Sequence, residues 1–415
     1  MELTIEQSCP SCGAAIVVNE DDKLIRCEFC DVANFRIATT AARYILPYSL
    51  PEEIHEDSIV FLPYLRFKGS VFFTENEQVR FKIVDTTRLA VGMSSLPPSL
   101  GLRPQVMKVR PVTTAVKGQF VLQTVPVKTA FLQATKLVEL YAGRESSPVL
   151  HRAFIGETIS VIYQPCYLKN DNVVDAVDGR RLGKADILPL TDVKHSSSKS
   201  KWEPRFIGAL CPDCGSLLKG ECDSRVLGCD NCNTYWAETK GRLNSLTWSM
   251  VEQTVKGSHY FPFWKINFTA VGYPISTFGD LIDFTNQPMI VSDKLKAEKL
   301  CFIIPAFKIN PKKFLQIASQ LTIAQSKIPV GSKNVLHKNY PVTLDTSEAV
   351  QSIKSVLAHL TVGKKKRLNI LSRMTINVEG TELLFLPFSK NVHDYMQNHT
   401  PTTVQVAAVR YGRSL

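Results

Sequence analysis

The chain has 415 residues, 44% of them hydrophobic and 21% charged, and carries a formal net charge of +11. This balance excludes an intrinsically disordered chain and leaves room for two or three domains with cores of their own. The longest apolar stretches, 59–65 and 301–307, are too short to span a membrane and each contains a proline. The opening MELTIEQSCP lacks the basic-then-apolar pattern of a secretory leader, so the expected location is cytoplasmic. Cysteine usage agrees with a reducing compartment. Eight of eleven cysteines stand in CxxC pairs, and an odd total does not suit a closed disulfide framework.

In chain order, the first pattern is Cys9-Pro-Ser-Cys12-Gly13, fourteen residues, then Cys27-Glu-Phe-Cys30. Two residues between paired thiolates let both sulfurs of one turn reach the same ion, so this spacing predicts a four-thiolate metal site. Gly13 sits where a left-handed backbone aims amide groups at sulfur. Residues 15–18 and 23–26 are expected to form short hairpin strands, with residues 1–40 making up the first metal module.

Residues 41–192 are expected to form an α+β domain. The segment 58–73 suggests two strands broken around Gly69, with 79–84 pairing beside them. Residues 86–112 suggest irregular structure because of Pro97, Pro98 and Pro104. A helix is expected over 129–141, and strands over 157–168 and 173–177 before an Asp178-Gly179 turn. The serine-rich, basic stretch 193–208 is assigned to a linker.

The cysteine pattern then recurs at identical spacing as Cys211-Pro-Asp-Cys214-Gly215 and Cys229-Asp-Asn-Cys232, within a second module at 209–240. Cys222 lies between its pairs and is surplus to a tetrahedral ion. A second α+β domain, 241–415, follows. Its landmarks repeat those of the first in order. Pro63-Tyr64 matches Pro262-Phe263, Arg103-Pro104 matches Asn310-Pro311, and Ile162 to Pro165 matches Leu384 to Pro387. Val125 to Val127 matches Tyr340 to Val342, and Arg181 to Gly183 matches Arg410 to Gly412. Helices are expected from Pro311, with Phe314, Ile317, Ala318 and Leu321 inward. Another starts at Thr346 or Ser347, carrying the stripe Val350, Ile353, Leu357 and Leu360. The fold expected from sequence is therefore α+β in two homologous halves. Each half is a small four-cysteine module followed by a mainly antiparallel sheet with one or two packed helices.

The paired CxxC turns, with short strands between them, resemble the zinc-ribbon, or rubredoxin-like, superfamily over about thirty residues per copy. The ribbon followed by a proline-aromatic strand such as 260–268 is similar to bacterial tandem zinc-ribbon proteins. The resemblance implies two structural zinc ions per chain, ligated by Cys9, Cys12, Cys27 and Cys30 and by Cys211, Cys214, Cys229 and Cys232. It implies no activity.

No phosphate loop, dinucleotide fingerprint, HExxH or GxSxG occurs, and the eight histidines are scattered. Four cysteines leave a metal no open position for substrate. The expected function is a non-enzymatic scaffold or adaptor that presents ribbon knuckles and sheet surfaces to a protein partner. The alternative is nucleic-acid binding through ribbons and basic surface, including the run Lys364-Lys-Lys-Arg367, for which the competing reading is a turn whose cations suit a helix C-terminus. Tyr64, Phe263 and Trp264 are expected in the core rather than on a stacking platform, and Cys166 and Cys301 as buried structural thiols.

Overall fold

The computed structural model describes residues 3–37, 41–75, 78–92, 95–127, 149–185, 202–333, 339–363 and 367–413. The fold is strand-rich and mixes α and β. The helix expected over 129–141 and most of the linker lie outside the described residues.

The N-terminal module consists of two hairpins. β1 (Thr4–Ser8) pairs antiparallel with β2 (Ala15–Asn19), and β3 (Leu24–Arg26) with β4 (Ala33–Ile37). Strands are expected at β2 and β3, but the two are not each other's partners. Each CxxC is itself the turn of a hairpin, so each pairs with the strand across its own knuckle.

The first large sheet follows. β5 (Ala42–Ile45), β6 (Val60–Glu75), β7 (Gln78–Leu89), β8 (Arg110–Pro111), β9 (Gln119–Phe120), β10 (His151–Lys169), β11 (Asn172–Asp175) and β12 (Arg181–Lys184) form eight strands. β10 is central: it runs antiparallel to β6 and β11 and parallel to β5. Between β7 and β8 the chain makes a short helix, α1 (Arg103–Val106), with Pro104 in its first turn.

β6 is one continuous strand, not two broken at Gly69. Opposite Gly69 the β10 strand carries a bulge between Ile155 and Thr158. A Cβ at Gly69 would stand 3.0 Å from the Glu157 Cα, so the glycine admits the bulge instead of ending the strand.

Arg205–Gly208, placed in the linker above, is a strand, β13, that adds to the edge of β4. The second module continues with β14 (Val226–Cys229), β15 (Thr234–Thr239) and β16 (Arg242–Ser245). The second large sheet contains β17 (Trp248–Met250), β18 (His259–Val271), β19 (Cys301–Pro305), β20 (Thr375–Lys390), β21 (Asp394–Gln397) and β22 (Thr403–Gln405). Among the described residues six helices accompany it: α2 (Phe278–Thr285), α3 (Asp293–Ala297), α4 (Pro311–Ile323), α5 (Thr346–Leu360), α6 (Arg367–Arg373) and α7 (Val406–Gly412).

The two large sheets have one plan. β20 lies antiparallel to β18 and β21 and parallel to β17, as β10 does to β6, β11 and β5. The register agrees to the residue. Pro63 is opposite Tyr163 and Tyr64 opposite Ile162; Pro262 is opposite Phe385 and Phe263 opposite Leu384. Both long pairs bulge about five residues beyond the proline, the second between Asn267 and Phe268. The match of Arg181 to Gly183 with Arg410 to Gly412 does not hold, because the first segment is strand β12 and the second lies in α7. Gly412 packs so closely on residues 308–309 that a Cβ there would be 2.7 Å from the Lys308 carbonyl oxygen.

α4 begins as expected, with Asn310 accepting from the Lys312 backbone N–H at 3.0 Å ahead of Pro311. For α5 the cap is Asp345, not Thr346 or Ser347. Glu348 completes a capping box by accepting the Asp345 N–H at 3.0 Å. These two helices do not serve the second sheet alone. α5 lies against β10, β6 and β7 of the first sheet, and the largest core cluster mixes Phe72, Ala153 and Ile155 with Phe314, Ile353 and Leu357. Tyr64, Phe263 and Trp264 are buried, as are Cys166 and Cys301, and the Trp264 indole donates to the Leu344 carbonyl at 2.9 Å. No described helix is long and apolar enough to cross a membrane.

Candidate metal centres

All eight cysteines of the CxxC pairs come together in two groups of four. In each group every Sγ lies within 4.8 Å of the other three. The sulfur–sulfur distances are 3.9 Å for Cys9–Cys30, 3.8 Å for Cys12–Cys27, and 3.5 Å for both Cys211–Cys232 and Cys214–Cys229. Four sulfurs at about 2.3 Å from a central ion would be about 3.8 Å apart, whereas a disulfide requires about 2.05 Å. The spacing fits a tetrahedral metal ion and not paired oxidation. Each cluster can hold one ion.

The backbone builds both clusters by the same device. The residue after each pair takes a left-handed conformation: Gly13 at φ 78°, Asp31 at 57°, Gly215 at 73° and Asn233 at 53°. Glycine, Asn and Asp are the residues that tolerate this region, and the sequence provides one at each knuckle. The turn then closes, with the Gly13 N–H bonded to the Cys9 carbonyl at 2.9 Å and the Gly215 N–H to the Cys211 carbonyl at 2.8 Å. In both clusters the first cysteine of each pair is buried, the second of the first pair is exposed, and the last is half-buried.

The surroundings pull the sulfurs of each cluster in opposite directions. Burial pushes the Cys9 thiol up, but the backbone N–H groups of Cys12 and Ser11 outweigh it and bring it to about 6. In the same cluster the Val32 backbone favours the Cys30 thiolate, yet burial and the three neighbouring sulfurs push it up to about 12. The second cluster repeats the conflict: hydrogen bonds from Ser216 and Asn231 bring Cys214 to about 6, while Cys232 is pushed up to about 12 despite the Thr234 hydroxyl. Four adjacent thiolates repel one another, and a divalent ion removes the conflict.

The groups behind the ligands differ between the copies. Thr234 Oγ1 lies 3.0 Å from Cys232 Sγ and accepts from the Trp236 indole at 2.9 Å, which turns the hydroxyl proton toward sulfur. In the first cluster the Ser11 N–H approaches Cys9 Sγ at 3.4 Å, and Asn34 Nδ2 donates to Ser11 Oγ at 3.0 Å. Sequence reasoning misses Thr234. Its signal is a hydroxyl two residues past the last cysteine and two before a tryptophan. Cys222 is not a ligand. Its carbonyl accepts the N–H groups of Lys23 and Leu24 at 2.7 and 2.9 Å, and burial raises its thiol to about 11.

These bonds belong to a larger junction. β13 extends the first module's sheet, and Ala209, two residues before Cys211, donates to the Ala33 carbonyl at 3.1 Å. Phe35, Leu218, Leu227 and Trp236 share one apolar cluster with Cys211 and Cys229. The two metal modules therefore have a common core.

A seam of buried charge runs from the first module to both halves. Arg66 pairs with Glu20 and, at 3.0 Å, with Asp85. Asp21 accepts from Lys308 at 2.9 Å, lies 3.7 Å from Lys68 and accepts from the Thr158 hydroxyl at 2.6 Å. Burial pushes Glu20 up against the attraction of Arg66. At Asp21 burial acts the same way, but the charges of Lys308 and Lys68 overcome it and lower the carboxyl. At the far end of the basic run, Arg367 donates to the carbonyls of Asp283 and Phe284 in the last turn of α2. Lys364 to Lys366 lie outside the described residues.

Comparison with protein-family models, curated proteins and solved structures finds no match. What stands is a pair of four-cysteine clusters in small antiparallel sheets, consistent with zinc-ribbon-like sites.

Proposed function

We propose that the protein is a non-enzymatic zinc protein in which two four-cysteine ribbons, joined through a common core, form a rigid platform for a protein partner. Zinc is the ion that suits four thiolates in tetrahedral array, and with all four positions filled its role is structural. The matching registers of the two large sheets support an origin by duplication, as in the bacterial tandem zinc-ribbon proteins that the sequence resembles.

The observation that carries the docking proposal is Phe29. It sits between the ligands Cys27 and Cys30 with 71% of its surface exposed. Aromatic side chains on rigid backbone are favoured anchors in protein interfaces, because little conformational entropy is lost when they are covered. Val32, at 42%, extends the apolar surface along the same turn. A monomeric scaffold with no partner would gain nothing from an exposed aromatic on its most constrained turn.

The test is affinity purification from the native host with the wild-type chain and with Phe29→Ser. The proposal expects a stoichiometric protein that is retained by the wild type and lost with the variant, both forms carrying two zinc ions. A partner held equally by both forms would contradict docking at this knuckle. The alternative reading, nucleic-acid binding, rests on the net charge of +11. It expects an affinity for DNA or RNA that falls steeply with salt.

A further inference from the structure

Positions Lys23 and Arg225 are equivalent in the two ribbons, each lying fourteen residues beyond the first cysteine of its module. Joining the ribbons brings both to one cavity of about 160 Å³, whose wall also includes Gln7, Arg36 and Arg43. Like charges are not gathered at low exposure without a cost.

The cavity has more donors than acceptors. Gln7 Nε2, Arg43 Nε and Arg225 Nε are buried and have no hydrogen-bond partner. The acidic residues of the wall are largely committed elsewhere. Glu20 is paired with Arg66, although its Oε1 remains without a donor. Glu203 accepts both the N–H and the hydroxyl of Thr114, at 2.6 and 2.8 Å. Burial, with the charges of Glu348 and Asp345, pushes Glu157 up to about 7, which leaves it half protonated near neutrality. Lys23 reports the same imbalance. Burial, then the charges of Arg225 and Arg36, hold it down to about 7, although Asp345 and Glu238 act in the opposite sense. Against burial, Arg225 is held charged by Asp345, Glu348, Asp21 and Asp223. Arg43 donates through Nη1 to the Tyr163 hydroxyl at 2.7 Å and lies over the Trp202 ring, yet the Nε–H of each arginine and the Gln7 amide stay unpartnered. An oxyanion would satisfy these donors through charge-assisted hydrogen bonds.

We propose that this cavity binds the phosphate group of a small molecule, held by Lys23, Arg225, Arg43 and Gln7. A second cavity, about 430 Å³, shares Lys23 and Arg225 with the first and is bordered by Trp264, Asp345 and Thr346. It provides room for the organic part of a phosphate monoester. Inorganic phosphate and a monoester share the chemistry that the donors recognise, and titration with each distinguishes them.

The experiment is calorimetric titration of the zinc-loaded full chain with inorganic phosphate and, separately, with ribose 5-phosphate, at an ionic strength held constant with sodium chloride. The expected result is saturable binding at one site per chain. Binding is weakened about tenfold by Lys23→Met and also by Arg225→Lys, as loss or misplacement of one charge-assisted bond implies. Tighter binding of ribose 5-phosphate identifies a monoester as the ligand; equal or weaker binding identifies free phosphate. Gln7→Leu, which alters no charge, serves if the charge variants do not retain both zinc ions, and it too weakens binding. Absence of saturable heat with both compounds overturns the proposal. So does binding that these substitutions leave unchanged, since the anion then lies elsewhere. Phe29→Ser leaves phosphate binding intact, which keeps this site separate from the partner surface.

Discussion

Lys308 Nζ, at the approach to helix α4, lies 2.9 Å from Asp21 Oδ2 in the first ribbon, and both side chains are nearly buried. The pair joins parts of the chain separated by 287 positions and ties the first metal module to the second half. Breaking a buried pair from one side strands the other charge. Asp21→Asn should therefore cost about 3–5 kcal/mol, since it leaves both Lys308 and Lys68 without their carboxylate. Urea denaturation of the two proteins at pH 7 measures it, and a loss below about 1 kcal/mol, the level of an exposed pair, would contradict the assignment.

The same pair sets an acid limit. The Asp21 carboxyl is lowered in the fold, so its contribution is complete above the unfolded value near 3.8 and disappears as pH falls toward the folded one. Glu157 has the opposite sign. Its folded value, about 7, exceeds the ordinary 4.5, so its ionisation destabilises the fold progressively as pH rises between those limits. Glu157→Gln should flatten the decline from pH 5 to pH 7 and stabilise the protein at pH 8 by about 1–2 kcal/mol, allowing for partial exposure. Thermal melts of both proteins across that range check the sign.

Gly69→Ala should destabilise by about 1–3 kcal/mol, because the added methyl meets the Glu157 backbone at 3.0 Å, where no side chain can move aside. Thermal unfolding of this variant tests whether β6 passes the bulge as one strand.

The common core of the ribbons makes a prediction about metal. Cys211→Ser with Cys214→Ser removes the second ion, but it also loosens the cluster that holds Phe35 and the edge of β4. The ion remaining at Cys9, Cys12, Cys27 and Cys30 should then pass to a chelator about tenfold faster or more, as expected for metal binding coupled to folding. An unchanged rate would show that the two modules are energetically independent.

The two four-cysteine clusters are legible in the sequence because such clusters have a fixed local grammar: a two-residue spacer and a left-handed residue after it. The order of the large strands is legible because Pro63-Tyr64 and Pro262-Phe263 are repeated landmarks. Partnership is less visible. The pairing of Arg205–Gly208 with β4 joins residues more than 160 positions apart, and no local pattern encodes it. Gly69 reads as a break because a strand glycine marks either an end or a close approach, and only the bulge at Glu157 decides between them. Asp345 is hidden as a cap because Thr346 and Ser347 are equally good candidates one and two positions later. The cavity at Lys23 and Arg225 arises only when the two ribbons join, and neither copy predicts it alone.

The central claim is that both four-cysteine clusters are filled, structural zinc sites in one joined unit. Elemental analysis of the protein purified without added metal, together with its Cys9→Ser/Cys12→Ser and Cys211→Ser/Cys214→Ser variants, tests it most directly. Two zinc ions per chain are expected in the wild type and no more than one in either variant. One ion or none in the wild type, or a full complement in either variant, would contradict it.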